Sequence, residues 1–307
     1  MESLSRRAFL MGRRAAPTPW ESFCQRMRRT VMGSLFDFGL VDGVGSARLV
    51  PKNTEDVQHA RALCAEYNVI LALDGVPQAS QLGNQAVLWV EPGIDMAVCQ
   101  RLEEGSTQWY VQPGCLLGQL EVAGLHQFAD LPCHITVAAW LADRTLCDWP
   151  SGETYKSGLM HASVLLADGT RANLGPFGEN NQKPLDSPSL RRSVSALYEL
   201  ANHADARACR ELTSWPARYR LDALLPCAGQ TVNLAHLLLG HGGDLAWVEW
   251  LVINEQTTAE PYALAEPGYL ARKRAEDKSW LAPVDLDTRV KALFDPSGAF
   301  PHPGQDL

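Results

Sequence analysis

The alternation of apolar and polar positions divides the first third of the chain into short helices and strands. Apolar side chains recur every three or four residues over 20–31, which predicts an amphipathic helix with a basic face. Asn53 or Thr54 can cap a second helix, whose first turn is acidic. Apolar runs short enough to be buried strands lie at 47–50, 69–73 and 86–90. This order predicts a small α/β unit, and the glycines at 33, 39, 43 and 45 predict a loop before it.

The rest of the chain contains both helical and strand-like apolar periodicity. Strands are predicted at 108–112 and 245–253, and helices at 116–125, 189–203 and 232–239. The apolar run 162–167 enters Asp168-Gly169 and returns over 170–174, which is typical of a β-hairpin. A stretch rich in Gly, Pro, Asn and Ser predicts an exposed loop over 175–190.

The charge of the chain is −8 and unevenly distributed, which argues against a general nucleic-acid-binding protein. Residues 1–30 carry seven arginines and two glutamates, a charge of +5, so the remainder carries −8 minus 5, or −13. A basic head on an acidic body indicates a targeting element or a docking arm, or equally a solvated basic helix. Residues 5–11 resemble the twin-arginine export consensus, but Gly12-Arg13-Arg14 interrupts the apolar stretch that an export signal needs. We expect a cytoplasmic protein, with periplasmic export through this segment as the alternative.

The eight cysteines are scattered and show no Cys-x-x-Cys pair or Cys/His ligand spacing, so no metal site is predicted. Most of them stand among apolar neighbours, which is typical of reduced thiols in a core. No apolar run approaches the roughly 18–20 residues of a membrane-spanning helix, so no transmembrane segment is predicted.

Five segments, taken in order, resemble the FAD-linked oxidase family with the vanillyl-alcohol-oxidase-type flavin fold. The opening strand and helix of that family are similar to 49–57 (LVPKNTEDV), and its strand-to-helix passage is similar to 110–120 (YVQPGCLLGQL). The family's hairpin is similar to 164–170 (VLLADGT). Its glycine-containing segment before a late strand is similar to 219–245, and its C-terminal ending is similar to 289–304. The D-lactate and glycolate dehydrogenase branch is the most similar.

The resemblance implies an α+β fold, a two-lobed FAD-binding domain of the vanillyl-alcohol-oxidase type with a much reduced cap region. It divides the chain into a basic N-terminal arm and helix (1–45), an FAD-binding-type domain (46–253), and a remnant of the cap with the family's ending (254–307). It implies FAD as the cofactor and a 2-hydroxy acid such as lactate or glycolate as the substrate. Because little chain remains for the cap, we expect a partner oxidoreductase subunit to complete the substrate side.

The resemblance also implies a set of flavin-contacting positions. They are Gly75, Ser80 and Gly83 in the diphosphate loop, Thr136, Val137, Ala138 and Ala139 in the second flavin segment, and Gly152. Such loops need glycine because backbone N–H groups must point at the phosphates without a Cβ in the way. Here Pro77 lacks an N–H group, and Asp74 brings a negative charge that would repel phosphate. No catalytic residue is assigned, because the histidine-rich cap motif of the family has no counterpart.

These departures leave a second function open, a non-catalytic relative that has lost flavin binding and acts as an interaction or scaffold protein. Exposed apolar surface around Trp247 and Trp250 would support that role, because exposed aromatic patches mark interfaces. Trp140 is interpreted as either a flavin-stacking or a core side chain. Two interpretations are open for His236, His241, Asp222 and Asp244. They form either an acid–base group or separate side chains with surface and capping roles.

Overall fold

The computed structural model describes residues 17–76, 85–146, 149–177, 187–256 and 281–302. In these ranges the helices are α1 (Pro19–Thr30), α2 (Thr54–Tyr67), α3 (Leu117–Ala123), α4 (Val137–Ala142), α5 (Pro188–Ala201), α6 (Ala204–Arg210) and α7 (Leu281–Phe294). The strands are β1 (Ser34–Val41), β2 (Val44–Val50), β3 (Ile70–Leu73), β4 (Val87–Val90), β5 (Cys99–Arg101), β6 (Gln108–Val111), β7 (Leu159–Leu165), β8 (Arg171–Leu174) and β9 (Trp247–Asn254).

The first lobe is built on a four-stranded sheet in the order β1-β2-β4-β3. The strands β2, β4 and β3 run parallel, and β1 is antiparallel to β2. The helix α1 begins with a capping box at Thr18 and buries Phe23 and Met27. Alternate residues of β2, Ala47 and Leu49, face the same core, which also takes in side chains of α2. Burial between two helices and one face of the sheet therefore holds this lobe together.

The loop predicted over 33–45 is wrong, because most of it forms the β1–β2 hairpin. Gly39 has φ +82 at the point where the register of the two strands shifts. Gly43 has φ +84 and follows Asp42, at φ +51, in the hairpin turn. Glycine adopts positive φ without steric penalty, so these two residues form a bulge and a tight turn within a hairpin instead of ending regular structure.

The second lobe is built on a five-stranded antiparallel sheet in the order β5-β6-β9-β7-β8. The predicted hairpin is present as β7 and β8, with Gly169 at φ +85 in its turn. The core of this lobe takes in side chains from α3 to α7. The helix predicted over 232–239 is a 3-10 helix, Leu234–Leu238, which Asn233 caps and which ends where Leu239 turns to extended backbone.

The C-terminal segment links the two lobes. Lys291 of α7 is buried, and its Nζ donates to the Asp295 carboxylate (2.7 Å) and to the backbone oxygens of Asp244 (2.5 Å) and Phe300 (3.3 Å). Further along, the backbone oxygen at 299 accepts from the N–H at 71 in β3 (3.0 Å). The α+β class with two lobes is thus confirmed. The boundaries at 45 and 253 stay predictions, and residues 257–280, most of the predicted cap remnant, lie outside the described residues.

Candidate functional site

The two segments predicted to contact flavin meet where the lobes join. The strand β3 ends at Leu73, and the N–H of Asp74 donates to the carbonyl at position 90 of β4 (2.9 Å). Gly75 then has φ +84, and a Cβ added to it would lie 3.9 Å from the Cβ of Ala139. Ser80 and Gly83, like Pro77, lie outside the described residues.

The second flavin segment forms the start of α4, and three of its backbone donors, at Val137, Ala138 and Ala139, are already paired. Thr136 is the N-cap, and its Oγ1 accepts from the N–H of Ala139 (3.2 Å). The N–H groups of Val137 and Ala138 donate to the carbonyls at positions 115 and 113 (2.8 and 3.0 Å). The N–H groups of Val137, Ala138 and Ala139 are therefore not free to bind a ligand.

Gly152 also has its N–H paired. It has φ +74 and donates to Oδ2 of Asp222 (2.7 Å), and a Cβ at this position would overlap the guanidinium of Arg210. Asp222 forms a fully buried ion pair with Arg220 (2.7 Å). Burial acts to raise the pKa of Asp222, but the Arg220 charge and the Gly152 N–H together hold it below its ordinary value. The Gly152 N–H therefore already binds a carboxylate.

A small cavity of about 10 Å³ lies between the lobes. Its walls are Leu71, Leu73, Ala138, His241, Gly243, Ala246, Trp247, Val248 and Phe300. This volume is about that of a single water molecule, and a flavin ring system is many times larger. This cavity is therefore too small for FAD.

Two ring nitrogens in the cavity wall are buried without a hydrogen-bond partner among the described residues, Nδ1 of His241 and Nε1 of Trp247. A buried polar group left unpaired costs about 1–3 kcal/mol. Burial, together with the charges of Arg218 and Lys291, lowers the pKa of His241 to about 3. His241 is therefore neutral at pH 7. These two nitrogens are the polar atoms that the junction can offer to a ligand.

The turn that carries His241 holds the lobes close together. The N–H groups of Gly240 and Gly242 donate to the carbonyls at positions 141 and 142 of α4 (2.7 and 2.8 Å). Gly243 has φ +76, and a Cβ added to it would come within 2.9 Å of the Cβ of Leu73. Only glycine permits both this backbone conformation and this approach. The Gly-Gly pair was the available sequence signal, and its role in joining the lobes was missed.

The four residues considered as an acid–base group each have partners of their own. His236 hydrogen-bonds through Nδ1 to a threonine hydroxyl (2.9 Å) and through Nε2 to a carbonyl (2.8 Å). Asp244 accepts from a guanidinium (2.7 Å) and a tyrosine hydroxyl (2.8 Å), and its burial raises its pKa. Asp222 is held by its ion pair, and His241 lines the cavity. Among the described residues the only recorded hydrogen bond between any two of the four is a backbone one, from the N–H of Asp244 to the carbonyl of His241 (3.4 Å). All four are buried structural residues rather than surface ones.

The apolar surface considered around two tryptophans is largely covered. Trp247 is 3% exposed, and Trp250 packs on the ring of Tyr110, with 5.8 Å between the ring centroids. Trp140 is fully buried and meets Phe128 edge-on at 5.0 Å, so it belongs to the core. The edge strand β1 instead exposes several large apolar side chains, namely Phe36, Phe38, Leu40 and Val41.

Metal and membrane features can be assessed only in the part of the chain that the structure describes. There, no three or more His, Cys, Asp or Glu side chains are grouped so as to hold a metal ion. None of the described helices combines the length and the apolarity that a membrane crossing requires.

Burial raises the pKa of Cys24 and of Cys115 to about 12, so both thiols are protonated at neutral pH.

Comparison with known proteins gives matches among solved structures only. No protein-family model matches the sequence, and no curated protein matches it. The 4-ethylphenol oxidase from Gulosibacter chungangensis is similar over 80% of this chain and 44% of its own, at 14% identity and a TM-score of 0.45. An alkyldihydroxyacetonephosphate synthase is similar over 78% of this chain and 44% of its own, at 14% identity and a TM-score of 0.45. Wild-type BBE-like 1 of Physcomitrella patens is similar over 76% of this chain and 44% of its own, at 10% identity and a TM-score of 0.42.

The chain spans about 44% of the length of these three proteins. Their TM-scores lie below 0.5, and their identities to this chain do not exceed 14%. A likeness of this size says nothing about the substrate, cofactor or partner of this chain.

Proposed function

We propose that this chain is an FAD-binding-type subunit of an oxidoreductase, of the kind that oxidises 2-hydroxy acids such as lactate or glycolate. The observation that carries the proposal is the lobe junction, where the unpaired nitrogens of His241 and Trp247 line a cavity beside Ala138. Unpaired buried polar atoms are stabilised by a ligand that pairs with them, and small residues let a flat ring approach the backbone. The five family-like segments supply the identity of the ring.

FAD does not fit the junction in its closed arrangement. The cavity measures about 10 Å³, and the N–H groups at the start of α4 are paired within the chain. Binding of FAD at this cavity would require the contact between Gly243 and Leu73 to open. Because FAD does not fit this cavity, no reaction step follows from it.

The proposal includes a partner subunit. The cavity at the junction is too small to enclose a substrate, and only residues 255–288 separate the end of β9 from the family-like ending at 289–304. Enclosure strengthens the electrostatic interactions at a reacting centre and holds the reactants in position. A second chain that covers the junction would supply that enclosure.

The second candidate is a non-catalytic relative that keeps the two lobes, binds no flavin and acts as an interaction or scaffold protein. In that case the paired donors of α4 and the close approach of Gly243 are the working state of the protein. The unpaired nitrogens of His241 and Trp247 would then be a stability penalty of the fold. The two candidates differ in whether the purified chain retains FAD.

The decisive experiment is to mix the purified protein with excess FAD, remove free cofactor by gel filtration and record the absorption spectrum. A retained flavin band at one equivalent supports the first candidate, and a colourless protein contradicts it. Asp74→Asn should increase retention, because Asp74 places a negative charge beside the predicted diphosphate loop. Asp130→Asn removes an exposed carboxylate of the second lobe and is the matched control, which should leave retention unchanged. If FAD is retained, reduction of the flavin by D-lactate or glycolate under anaerobic conditions tests the substrate class.

A further inference from the structure

A second cavity, of about 440 Å³, lies where α2, the β7–β8 turn, α5 and the end of α7 meet. It shares no lining residue with the cavity at the lobe junction. Its volume falls within the range of pockets that bind small molecules. Nothing in the proposed function uses this cavity.

One wall of this cavity carries a guanidinium without an acceptor. Arg61 of α2 lines the cavity, and its Nε is buried with no hydrogen-bond partner among the described residues. Arginine stays protonated at any pH that a folded protein meets, so the unpaired N–H belongs to a full positive charge. Leaving such a group buried and unpaired is costly, and an acceptor brought by a ligand would remove that cost.

The remaining polar side chains of the cavity make the binding of one negative charge favourable. Arg192 of α5 is exposed at the rim and adds a second positive charge. Asp168 is the acidic residue among those lining the cavity, and its Oδ1 accepts from the N–H and the hydroxyl of Thr170 (2.8 and 2.7 Å). The described lining residues therefore have a net charge of +1. This favours a monoanion over a dianion such as phosphate.

The floor of the cavity is apolar. Leu166, Leu190 and Phe294 contribute to it, and each is buried in the protein. The hydroxyl of Ser193 donates to a backbone carbonyl of α7 (3.3 Å), so Ser193 does not leave a free polar group on the floor. A ligand that fits this lining has an apolar body as well as a charged end.

We infer that this cavity binds a monocarboxylate with an apolar body, with the carboxylate on Arg61. The planar guanidinium fork matches the two oxygens of a carboxylate, and Arg192 at the rim attracts the anion. The apolar body of the ligand lies on the leucine and phenylalanine floor. This site is independent of flavin, so it stands or falls separately from the proposed function.

The test is calorimetric titration of the full chain with octanoate at low ionic strength. Octanoate should bind saturably at one site. Acetate, which lacks the apolar body, and octanamide, which lacks the charge, should each bind at least about tenfold more weakly, equivalent to about 1.4 kcal/mol. Arg61→Gln should weaken octanoate binding by about tenfold or more, while Arg192→Gln should weaken it by a smaller factor without affecting folding.

Arg191→Gln is the matched control, because Arg191 precedes Arg192 in α5 but does not line the cavity. This variant should bind octanoate as the unaltered protein does. The inference is overturned if octanoate gives no saturable heat, if octanamide binds equally well, or if Arg191→Gln weakens binding as much as Arg61→Gln. Circular dichroism of each variant shows that a loss of binding is not a loss of fold. A protein that retains no FAD but binds octanoate would refute the proposed function and support this site.

Discussion

Replacing His241 with leucine should make the protein more resistant to acid while leaving its stability near neutral pH almost unchanged. His241 is 2% exposed, and the charges nearest to it are those of Arg218 and Lys291. Its Nδ1 has no partner among the described residues, so leucine removes no known hydrogen bond at that atom. Removing the unpaired nitrogen stabilises the protein by about 1–3 kcal/mol, and fitting the differently shaped leucine side chain into the packed junction costs about as much, so we expect the free energy of unfolding at pH 7.5 to change by no more than about 1 kcal/mol.

The magnitude of the acid effect follows from proton linkage. The pKa of His241 falls from 6.5 to about 3 on folding, because burial disfavours the charged ring. Below pH 6.5 the unfolded chain therefore takes up a proton that the folded protein does not bind, and stability falls as the pH falls toward 3. At pH 4.5, two units below the unfolded pKa, this uptake destabilises the folded protein by roughly 3 kcal/mol. His241→Leu removes this loss.

Urea denaturation of the two proteins at pH 7.5, 6.5, 5.5 and 4.5 measures the difference. The gap between them should open below pH 6.5 and reach roughly 3 kcal/mol in favour of the variant at pH 4.5. His236 is also buried and has its pKa lowered to about 4, but it is present in both proteins, so its effect cancels. His126→Leu, at an exposed histidine, is the control and should follow the unaltered protein. Parallel curves for His241→Leu and the unaltered protein would refute the reasoning.

Three further substitutions test the contacts that hold the fold. Gly243→Ala should lower the free energy of unfolding by about 2–5 kcal/mol in thermal or urea denaturation, because the added Cβ meets Leu73 and the residue has positive φ. Gly39→Ala is the control: it has positive φ but no neighbour at the Cβ position, so it should cost only about 1–2 kcal/mol. Equal losses in the two variants would contradict the contact between the lobes. Asp56→Ala should cost about 3 kcal/mol in urea denaturation, because this buried carboxylate accepts from three backbone N–H groups (2.7–2.9 Å); a change under about 1 kcal/mol would contradict that role. Lys291→Met should cost about 3–5 kcal/mol by the same assay, since it leaves a buried carboxylate without its cation, and an unchanged midpoint would argue against the ion pair.

Local elements of the fold could be predicted because short-range forces determine them. The helix α2 begins at the predicted cap, where the Asn53 side chain accepts from the N–H three residues on (2.9 Å). The strands β3 and β4 are the predicted apolar runs, shortened by one residue each at the start. The β7–β8 turn lies at Asp168-Gly169. Capping, apolar periodicity and turn chemistry each act within a few residues, so each leaves a readable pattern.

Contacts between distant residues left no such pattern. Asp56 was interpreted only as an acidic residue in a first helical turn, yet its carboxylate ties together the chain at positions 32, 33 and 52. The pairing of Asp222 with the Gly152 N–H spans 70 positions. The helix α7, which was not predicted, brings Lys291 to the backbone oxygen of Asp244, 47 positions away. Such partners are chosen by the packing of whole elements, which neither periodicity nor residue type reveals.

The candidate site shows the same limit in a sharper form. Small residues at 75, 138, 139 and 243 indicate that something approaches the backbone closely, and the sequence supports that inference. A flavin ring and a neighbouring lobe both meet this requirement. In the closed arrangement the lobes themselves make the approach, with Leu73 against Gly243 and Ala139 beside Gly75. Glycine and alanine at this junction are thus consistent with both a cofactor site and a tight domain contact. The unpaired nitrogens of His241 and Trp247 are the observation at this junction that packing alone does not explain. Retention of FAD by the purified chain is the measurement that separates a cofactor site from a tight domain contact.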